Sequence, residues 1–132
     1  MRYLVIGGLA FVFHARPRYT KDIDIWLDAG ESNVGRTNAA LAEFGSPETL
    51  DPAASDEILQ LGVPPNRIDF LRSIVGIEFE PAWARRIVAP YGSVSVNWIA
   101  LEDLIAIKSR IDHPRHREDV RILEMVRARG RS

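Results

Sequence analysis

The segment Asp22–Leu27, with the sequence DIDIWL, alternates acidic and apolar residues and is the most informative part of the chain. This alternation predicts a β-strand with both carboxylates on one face and the isoleucines on the other. Aspartate is poorly suited to a strand, and two like charges at this spacing repel each other. We therefore expect the fold to supply these two carboxylates with a shared cation.

The apolar run YLVIGGLA, from residue 3 to residue 10, predicts a buried strand that breaks at Gly7 and Gly8 into a helix. Glycine permits the tight change of direction, and free backbone N–H groups at a helix start can bind phosphate. A carboxylate pair and a candidate phosphate site are thus close together in sequence. Because a core strand at residue 3 is an unusual beginning, we expect a helix to precede it in the full gene product.

The composition predicts one domain, because 132 residues with 46% hydrophobic content suffice for one core. A net charge of −1 argues against a protein that coats nucleic acid, although the part from Lys108 onward carries eight Lys and Arg against four Asp and Glu. The absence of cysteine excludes disulfides and thiolate metal sites and favours a cytoplasmic location. The N-terminal apolar run is shorter than the ~20 residues of a membrane span, so no membrane association is expected.

Periodicity and turn residues predict the remaining elements. Helices are expected at residues 9–15, 34–44, 79–86 and 100–110 and after Pro114, and strands at residues 58–61, 67–71, 86–89 and 93–97. Ser32 is expected to cap the second helix and Gly45 to end it. Turn chemistry at residues 62–66, which include Pro64 and Pro65, predicts a hairpin. A Pro-Tyr-Gly turn is expected between the last two strands, and residues 46–55 are expected to form a loop.

A third carboxylate, Asp69, lies in the sequence RIDFL, where apolar neighbours predict a strand with Asp69 on the face opposite to them. If this strand lies beside the DIDIWL strand, three acids converge. Such an oxygen-only site suits Mg²⁺ or Mn²⁺. Two such ions ~3.5–4 Å apart would stabilise the attacking and leaving oxygens of an in-line displacement at phosphorus.

These features resemble the nucleotidyltransferase superfamily with the DNA polymerase β-like fold, in particular small bacterial members related to minimal nucleotidyltransferases and abortive-infection toxins. The family pattern is a strand, a Gly-Gly or Gly-Ser pair, a helix, an Asp-x-Asp pair and a lone Asp on a later strand. Gly7, Gly8, Asp22, Asp24 and Asp69 match it, and the resemblance covers nearly the whole chain. Further runs that look like this group are RYTK at residues 18–21, QLGVPPNRID at residues 60–69, and LEDL at residues 101–104 with Lys108.

The resemblance implies an α/β (α+β) domain with a mixed, mostly antiparallel sheet and flanking helices. It also implies transfer of a nucleoside monophosphate from an NTP, with ATP as the expected donor, to a hydroxyl, with pyrophosphate leaving. Asp22 and Asp24 would then hold both Mg²⁺ or Mn²⁺ ions. Asp69 would bind the metal next to the acceptor hydroxyl and assist its deprotonation.

The same resemblance implies which residues bind the triphosphate. The backbone of Gly7 and Gly8 and the following helix start would receive the β- and γ-phosphates, which large side chains would obstruct. Arg18, Lys21 and Lys108 are candidate charge partners for the triphosphate. Lys108 is the first choice among them, because it lies on a helix whose apolar periodicity requires packing near the sheet.

The chain also departs from the family pattern. Relatives often carry Arg-Pro-Lys-Asp-x-x-Asp after the penultimate helix, where this chain has HPRHRED at residues 113–119. Any contact that the replaced residues make in relatives is therefore in doubt here, although Asp119 could still pair with Lys108 or Arg115. The chain has little room for an acceptor-binding domain, so we expect the acceptor to be recognised together with a partner.

Several residues have a structural interpretation that competes with a functional one. His113 and His116 could begin a metal site, but a solvated loop is the preferred interpretation. His14 is expected to pack on its helix, and Trp26 is expected to pack in the core rather than contact a nucleotide base. Trp83 and Trp98 are expected to be core or interface anchors.

Three functions stay open at this point. The first is an enzyme that modifies a macromolecular hydroxyl, on a protein or a tRNA, in a toxin–antitoxin system. The second is a catalytically silent nucleotide-binding scaffold that acts as an antitoxin-like partner of a cognate toxin. The third is modification of a small molecule such as an aminoglycoside. A homo-oligomer is compatible with each of them.

Overall fold

The computed structural model of the protein describes residues 1–54, 56–63, 66–111 and 113–130. The elements in chain order are β1 (Tyr3–Ile6), α1 (Gly7–His14), β2 (Asp22–Leu27), α2 (Glu31–Phe44), β3 (Leu59–Leu61), β4 (Arg67–Leu71), α3 (Phe79–Ala84), β5 (Ile87–Tyr91), β6 (Val94–Trp98), α4 (Leu101–Ser109) and α5 (Pro114–Gly130). The strands form one sheet in the order β3-β4-β2-β1-β6-β5. The predicted α/β class, with a mixed sheet and flanking helices, is confirmed.

The sheet is antiparallel in three of its pairings and parallel in two. β1 and β2, β3 and β4, and β5 and β6 pair antiparallel. β1 runs parallel to β6, and β2 runs parallel to β4. The parallel β2–β4 pair lies in the middle of the sheet and brings the DIDIWL and RIDFL sequences side by side.

Helices cover both faces of the sheet. α1, α4 and α5 pack on one face, where Leu4, Ile6 and Trp26 belong to the larger core cluster. α2 packs on the other face, against Leu27 and Phe70. Trp26 is 1% exposed and meets Phe79 edge to face, so its predicted role in core packing is confirmed. Because Trp26 shares a strand face with Asp22 and Asp24, the two acids lie on the side of α1, α4 and α5.

Strand β1 passes into helix α1 without a loop. Gly7 makes this possible with φ +65°, a left-handed conformation that residues with a side chain rarely adopt. A Cβ atom on Gly7 would also lie 2.2 Å from Oδ2 of Asp24. The glycine therefore allows both the change of direction and the close approach of a carboxylate to the start of α1.

Helix α2 ends as predicted but begins differently. Gly45, with φ +93°, donates its N–H to the carbonyl of Ala42, and the next N–H bonds to the carbonyl of Leu41. The N-cap is Gly30, whose N–H donates to Oδ1 of Asp28 at 3.0 Å. The predicted cap at Ser32 is therefore wrong, because the Asp28 side chain turns the chain into the helix earlier.

Other differences from the predicted elements are small. Helix α1 begins at Gly7 rather than at residue 9, and α3 is two residues shorter than predicted. Pro90 and Tyr91 belong to β5, and the turn lies at Gly92 and the following residue. A proline is tolerated there because β5 is an edge strand. The predicted turn residues Pro64 and Pro65 and the end of the predicted 46–55 loop at residue 55 lie outside the described residues.

None of the helices in the described part of the chain combines the length and the hydropathy that crossing a bilayer requires.

Candidate active site

The structure brings the three predicted acids together on one face of the sheet. In the parallel β2–β4 pair, Asp24 lies opposite Asp69 and Asp22 lies opposite Arg67. Paired residues on neighbouring strands, and residues two apart on one strand, project to the same face. The three carboxylates and the Arg67 guanidinium therefore form one cluster. Asp69 is its most buried member, at 8% exposure.

Arg67 forms ion pairs with two of the three carboxylates. Its Nη2 lies 2.9 Å from Oδ2 of Asp22 and 3.2 Å from Oδ2 of Asp69. Its Nε lies 2.9 Å from Oδ1 of Asp69, a close ion pair that lacks hydrogen-bond geometry. Sequence reasoning assigned no role to Arg67. Its position two residues before Asp69 placed it on the acid face, but the contact with Asp22 depends on strand register.

Asp24 is the carboxylate whose ionised form is destabilised by this arrangement. Burial, followed by the charges of Asp69 and Asp22, raises the pKa of Asp24 to about 6 against the opposing effect of Arg67 and Lys108. The ionised form of Asp24 is therefore held at a cost in the folded protein. Its Oδ2 is the atom that approaches Gly7 at the start of α1.

The first turn of α1 lies beside Asp24 and has no side-chain cap. Its N-cap residue, Ile6, makes no side-chain hydrogen bond to the helix, and no acidic residue stands in the first turn. The amide N–H groups at this end carry partial positive charge and can bind an anion. Gly8 is also packed, since a Cβ there would lie 3.1 Å from Cγ2 of Thr20. Both glycines thus have steric reasons for their presence besides ligand access.

An open cleft of about 430 Å³ lies above this helix start. Ionisable side chains from four parts of the chain line it: Arg18, Lys21, Asp22, Asp24, Lys108, Arg115, His116 and Asp119. Lys21 and Arg115 are exposed, and neither forms an ion pair with another residue that the structure describes. An apolar slot of about 320 Å³ adjoins the cleft along Gly7 and Asp24. A ligand could therefore place a charged part in the cleft and a flat apolar part in the slot.

Two of the predicted triphosphate partners are already bound to an acid. Nζ of Lys108, which is 4% exposed, donates to Oδ2 of Asp119 at 2.9 Å. Arg18 donates to both oxygens of Asp119, at 2.6 and 3.0 Å, and stacks on the ring of Phe11. Burial opposes ionisation of Asp119, but these hydrogen bonds outweigh it and hold the pKa of Asp119 below its ordinary value. Of the two partners considered for Asp119, Lys108 is the one that contacts it.

His116 lies at the junction of the cleft and the apolar slot, and its predicted placement in a solvated loop is wrong. It belongs to the first turn of α5, which begins at Pro114. Burial, followed by the charge of Lys108, lowers the pKa of His116. Its Nδ1 is buried without a hydrogen-bond partner among the described residues. Proline is favoured at the first position of a helix, which is the signal that could have placed His116 correctly.

The donor set of the cluster suits a hard divalent cation, but a metal site is not preformed. Oδ1 of Asp22 is buried with no hydrogen-bond partner in the described part of the chain, and Oδ1 of Asp69 has only the ion pair with Arg67. Carboxylate oxygens are the ligands that Mg²⁺ and Mn²⁺ prefer. Within residues 1–54, 56–63, 66–111 and 113–130, however, no three acidic or imidazole side chains stand in an arrangement that could hold a metal ion. Arg67 occupies the space between two of the candidate ligands.

Comparisons with known proteins add no assignment. No protein-family model matches the chain, and a search of curated proteins likewise finds no match. The geometry of the cleft is therefore the basis for assigning a function.

Proposed function

We propose that this protein is a metal-dependent nucleotidyltransferase that moves a nucleoside monophosphate from an NTP, with ATP as the first candidate, to a hydroxyl of a protein or tRNA. One observation carries the proposal. Asp22, Asp24 and Asp69 share one sheet face, and the carboxylate of Asp24 approaches Gly7 at the amino-terminal end of α1. Clustered carboxylates next to a phosphate-binding helix end are the two elements that this reaction requires.

Each part of the site has a task in this proposal. The three carboxylates would hold Mg²⁺ or Mn²⁺, which when bound would stabilise charge on the reacting phosphoryl group. The first-turn amides of α1 would receive the outer phosphates of the nucleotide. Lys21 and Arg115, both exposed at the cleft, would balance the remaining triphosphate charge. A cleft of about 430 Å³ is within the usual range for small-ligand sites.

Lys108 and Arg18 receive a different role from the one that the sequence suggested. Both are held by Asp119, so the triad joins α5 to α4 and to the segment between α1 and β2, and it keeps positive charge next to the acids. The Lys108 charge already opposes the rise in the pKa of Asp24. We place Lys108 and Arg18 as positioning residues that shape the electrostatics of the cleft.

The test offers each α-labelled NTP, with Mg²⁺ or Mn²⁺, to the protein together with cell protein, total RNA or aminoglycosides. Label is expected in protein or RNA, and Asp22→Asn and Asp69→Asn are expected to abolish transfer. The matched control is Asp56→Asn, an exposed aspartate outside the cleft. Transfer that survives in the Asp22→Asn and Asp69→Asn variants would reject the proposed site. Transfer to aminoglycosides alone would move the acceptor to small molecules.

A catalytically silent nucleotide-binding scaffold is the second candidate, and one contact favours it. The Arg67 guanidinium gives Asp22 and Asp69 a counter-charge without any metal. A scaffold of this kind could bind nucleotide and act on a partner such as a toxin through its surface. Saturable NTP binding without transfer to any acceptor would support the scaffold. Absence of both binding and transfer would reject both candidates.

A further inference from the structure

We propose that Arg67 is a built-in counter-ion that competes with the divalent cation, so that metal binding requires displacement of its guanidinium from Asp22 and Asp69. This inference rests on the proposed function, because it concerns how the same carboxylates are loaded. It predicts a property of the protein that is measurable without catalysis.

The guanidinium uses the oxygens that a metal would need. It contacts Oδ2 of Asp22 and both oxygens of Asp69 at 2.9 to 3.2 Å. A divalent ion bound to these two residues would require the same lone pairs and would place its charge within a few ångströms of the arginine. Arginine keeps its charge at any ordinary pH, so it cannot yield by deprotonation. The guanidinium must therefore move before both acids can act as ligands.

The charge of the cluster favours exchange of the Arg67 guanidinium for a divalent cation. One guanidinium serves two acids, while Oδ1 of Asp22 has no hydrogen-bond partner in the described part of the chain. The guanidinium of Arg67 therefore contacts two of the three carboxylates and balances the charge of the cluster incompletely. A divalent cation would supply the missing charge, which gives the exchange its driving force.

The exchange is feasible because the Arg67 side chain is 26% exposed and has access to solvent. Partly exposed ion pairs contribute little stability, so displacement costs on the order of tenfold in metal affinity. A negatively charged nucleotide would add phosphate oxygens to the metal's ligands and help to overcome this cost. The protein would therefore bind metal weakly alone and more tightly with nucleotide.

The test is a titration with Mn²⁺ alone, followed by the loss of the free-ion electron paramagnetic resonance signal. Arg67→Gln is expected to bind Mn²⁺ about tenfold more tightly than the wild type. Arg67→Lys is expected to lie between them, because a lysine ammonium is a point charge and cannot bridge both acids in the same way. Arg36→Gln, which removes an exposed arginine on α2, is the matched charge control and should behave as the wild type.

Thermal unfolding provides a second readout. Without metal, Arg67→Gln should unfold at a lower temperature than the wild type, because the acids lose their counter-charge. Mn²⁺ should raise its Tm by more than it raises that of the wild type. If Arg67→Gln does not fold, Arg67→Lys replaces it in the comparison. Tighter Mn²⁺ binding by Arg67→Lys than by the wild type supports the competition, and equal or weaker binding overturns it.

The outcomes separate this inference from the proposed function. Equal or weaker Mn²⁺ binding by Arg67→Gln overturns the competition. If Asp22→Asn nevertheless abolishes Mn²⁺ binding, the proposed metal site stands without it. A lack of Mn²⁺ binding by every variant, with or without a non-hydrolysable ATP analogue, overturns both.

Discussion

Replacing Asp24 with asparagine should stabilise the protein at pH 7.5 and leave its stability almost unchanged near pH 4. The side chain stands in a half-buried position between Asp22 and Asp69, and Oδ2 approaches Gly7. Asparagine keeps the shape of the carboxyl group but removes its charge. The variant therefore isolates what the negative charge of Asp24 contributes to folding.

The magnitude follows from the pKa of Asp24, which burial and the charges of Asp69 and Asp22 raise from 3.8 to about 6. This difference corresponds to an upper limit of about 3 kcal/mol between the ionised and neutral forms. Part of the side chain remains exposed, so solvent screening reduces the expected effect to about 1–2 kcal/mol. A change of this size is a large fraction of the stability of a small domain.

The direction follows from proton linkage. Between pH 3.8 and about 6, the folded protein binds a proton at Asp24 that the unfolded chain releases. The contribution of Asp24 to the free energy of unfolding therefore falls as pH rises through this window. Above pH 6 the full cost of the buried charge is present in the wild type and absent from the Asp24→Asn variant.

The assay is urea unfolding of both proteins at pH 4.0, 5.0, 6.0 and 7.5, with Asp56→Asn as a control that should change stability by less than about 0.5 kcal/mol. His14 adds a pH dependence of opposite sign, because burial lowers its pKa and the folded state resists protonation. This contribution is common to wild type and variant, so it cancels in their difference. A variant that is less stable at pH 7.5, or a difference that does not change between pH 4.0 and 7.5, would refute the reasoning.

Two further pairs of variants test the packing of the site, each by urea unfolding at pH 7.5. Gly7→Ala should destabilise the protein by about 2–4 kcal/mol, because it combines a left-handed backbone with a clash at Asp24. Gly35→Ala in α2 has open space around it and should stabilise the protein by about 0.5–1 kcal/mol. Equal effects of the two substitutions would contradict this. Asp119→Ala should cost about 3–5 kcal/mol, because it leaves the buried Lys108 unpaired, and Lys108→Met should cost less, because Arg18 still satisfies the acid. The opposite order would show that Lys108 is not the member that needs the partner.

The strands and their faces could be predicted because alternation is a local property. The period of two in DIDIWL and RIDFL places each acid on a face without knowledge of the rest of the fold. Convergence of the three acids needed one further fact, the parallel pairing of β2 with β4 in a register that sets Asp24 opposite Asp69. Parallel register is a long-range property, since no turn between the strands fixes it.

The contacts of the arginines could not be predicted for the same reason. Arg18 looked like a triphosphate partner from its position before the first acid, but the fold places it on Asp119, 101 residues away in sequence. Arg67 lies in the run at residues 60–69 that resembles the nucleotidyltransferase group, and the sequence assigned it no task of its own. Its bridge between Asp22 and Asp69 appears only when two strands that are distant in sequence lie side by side.

The energetics of the acid cluster argue for a ligand more strongly than its composition does. An aspartate whose charge destabilises the fold is a poor structural residue, and neutral side chains of the same shape would relieve the repulsion. The chain instead keeps Asp24, places a glycine against its carboxylate and supplies one arginine for three acids. A residue that costs stability and that the surrounding packing accommodates is typical of sites that bind something. A bound cation of higher charge than a guanidinium would relieve the repulsion among the carboxylates, and this relief would favour its binding.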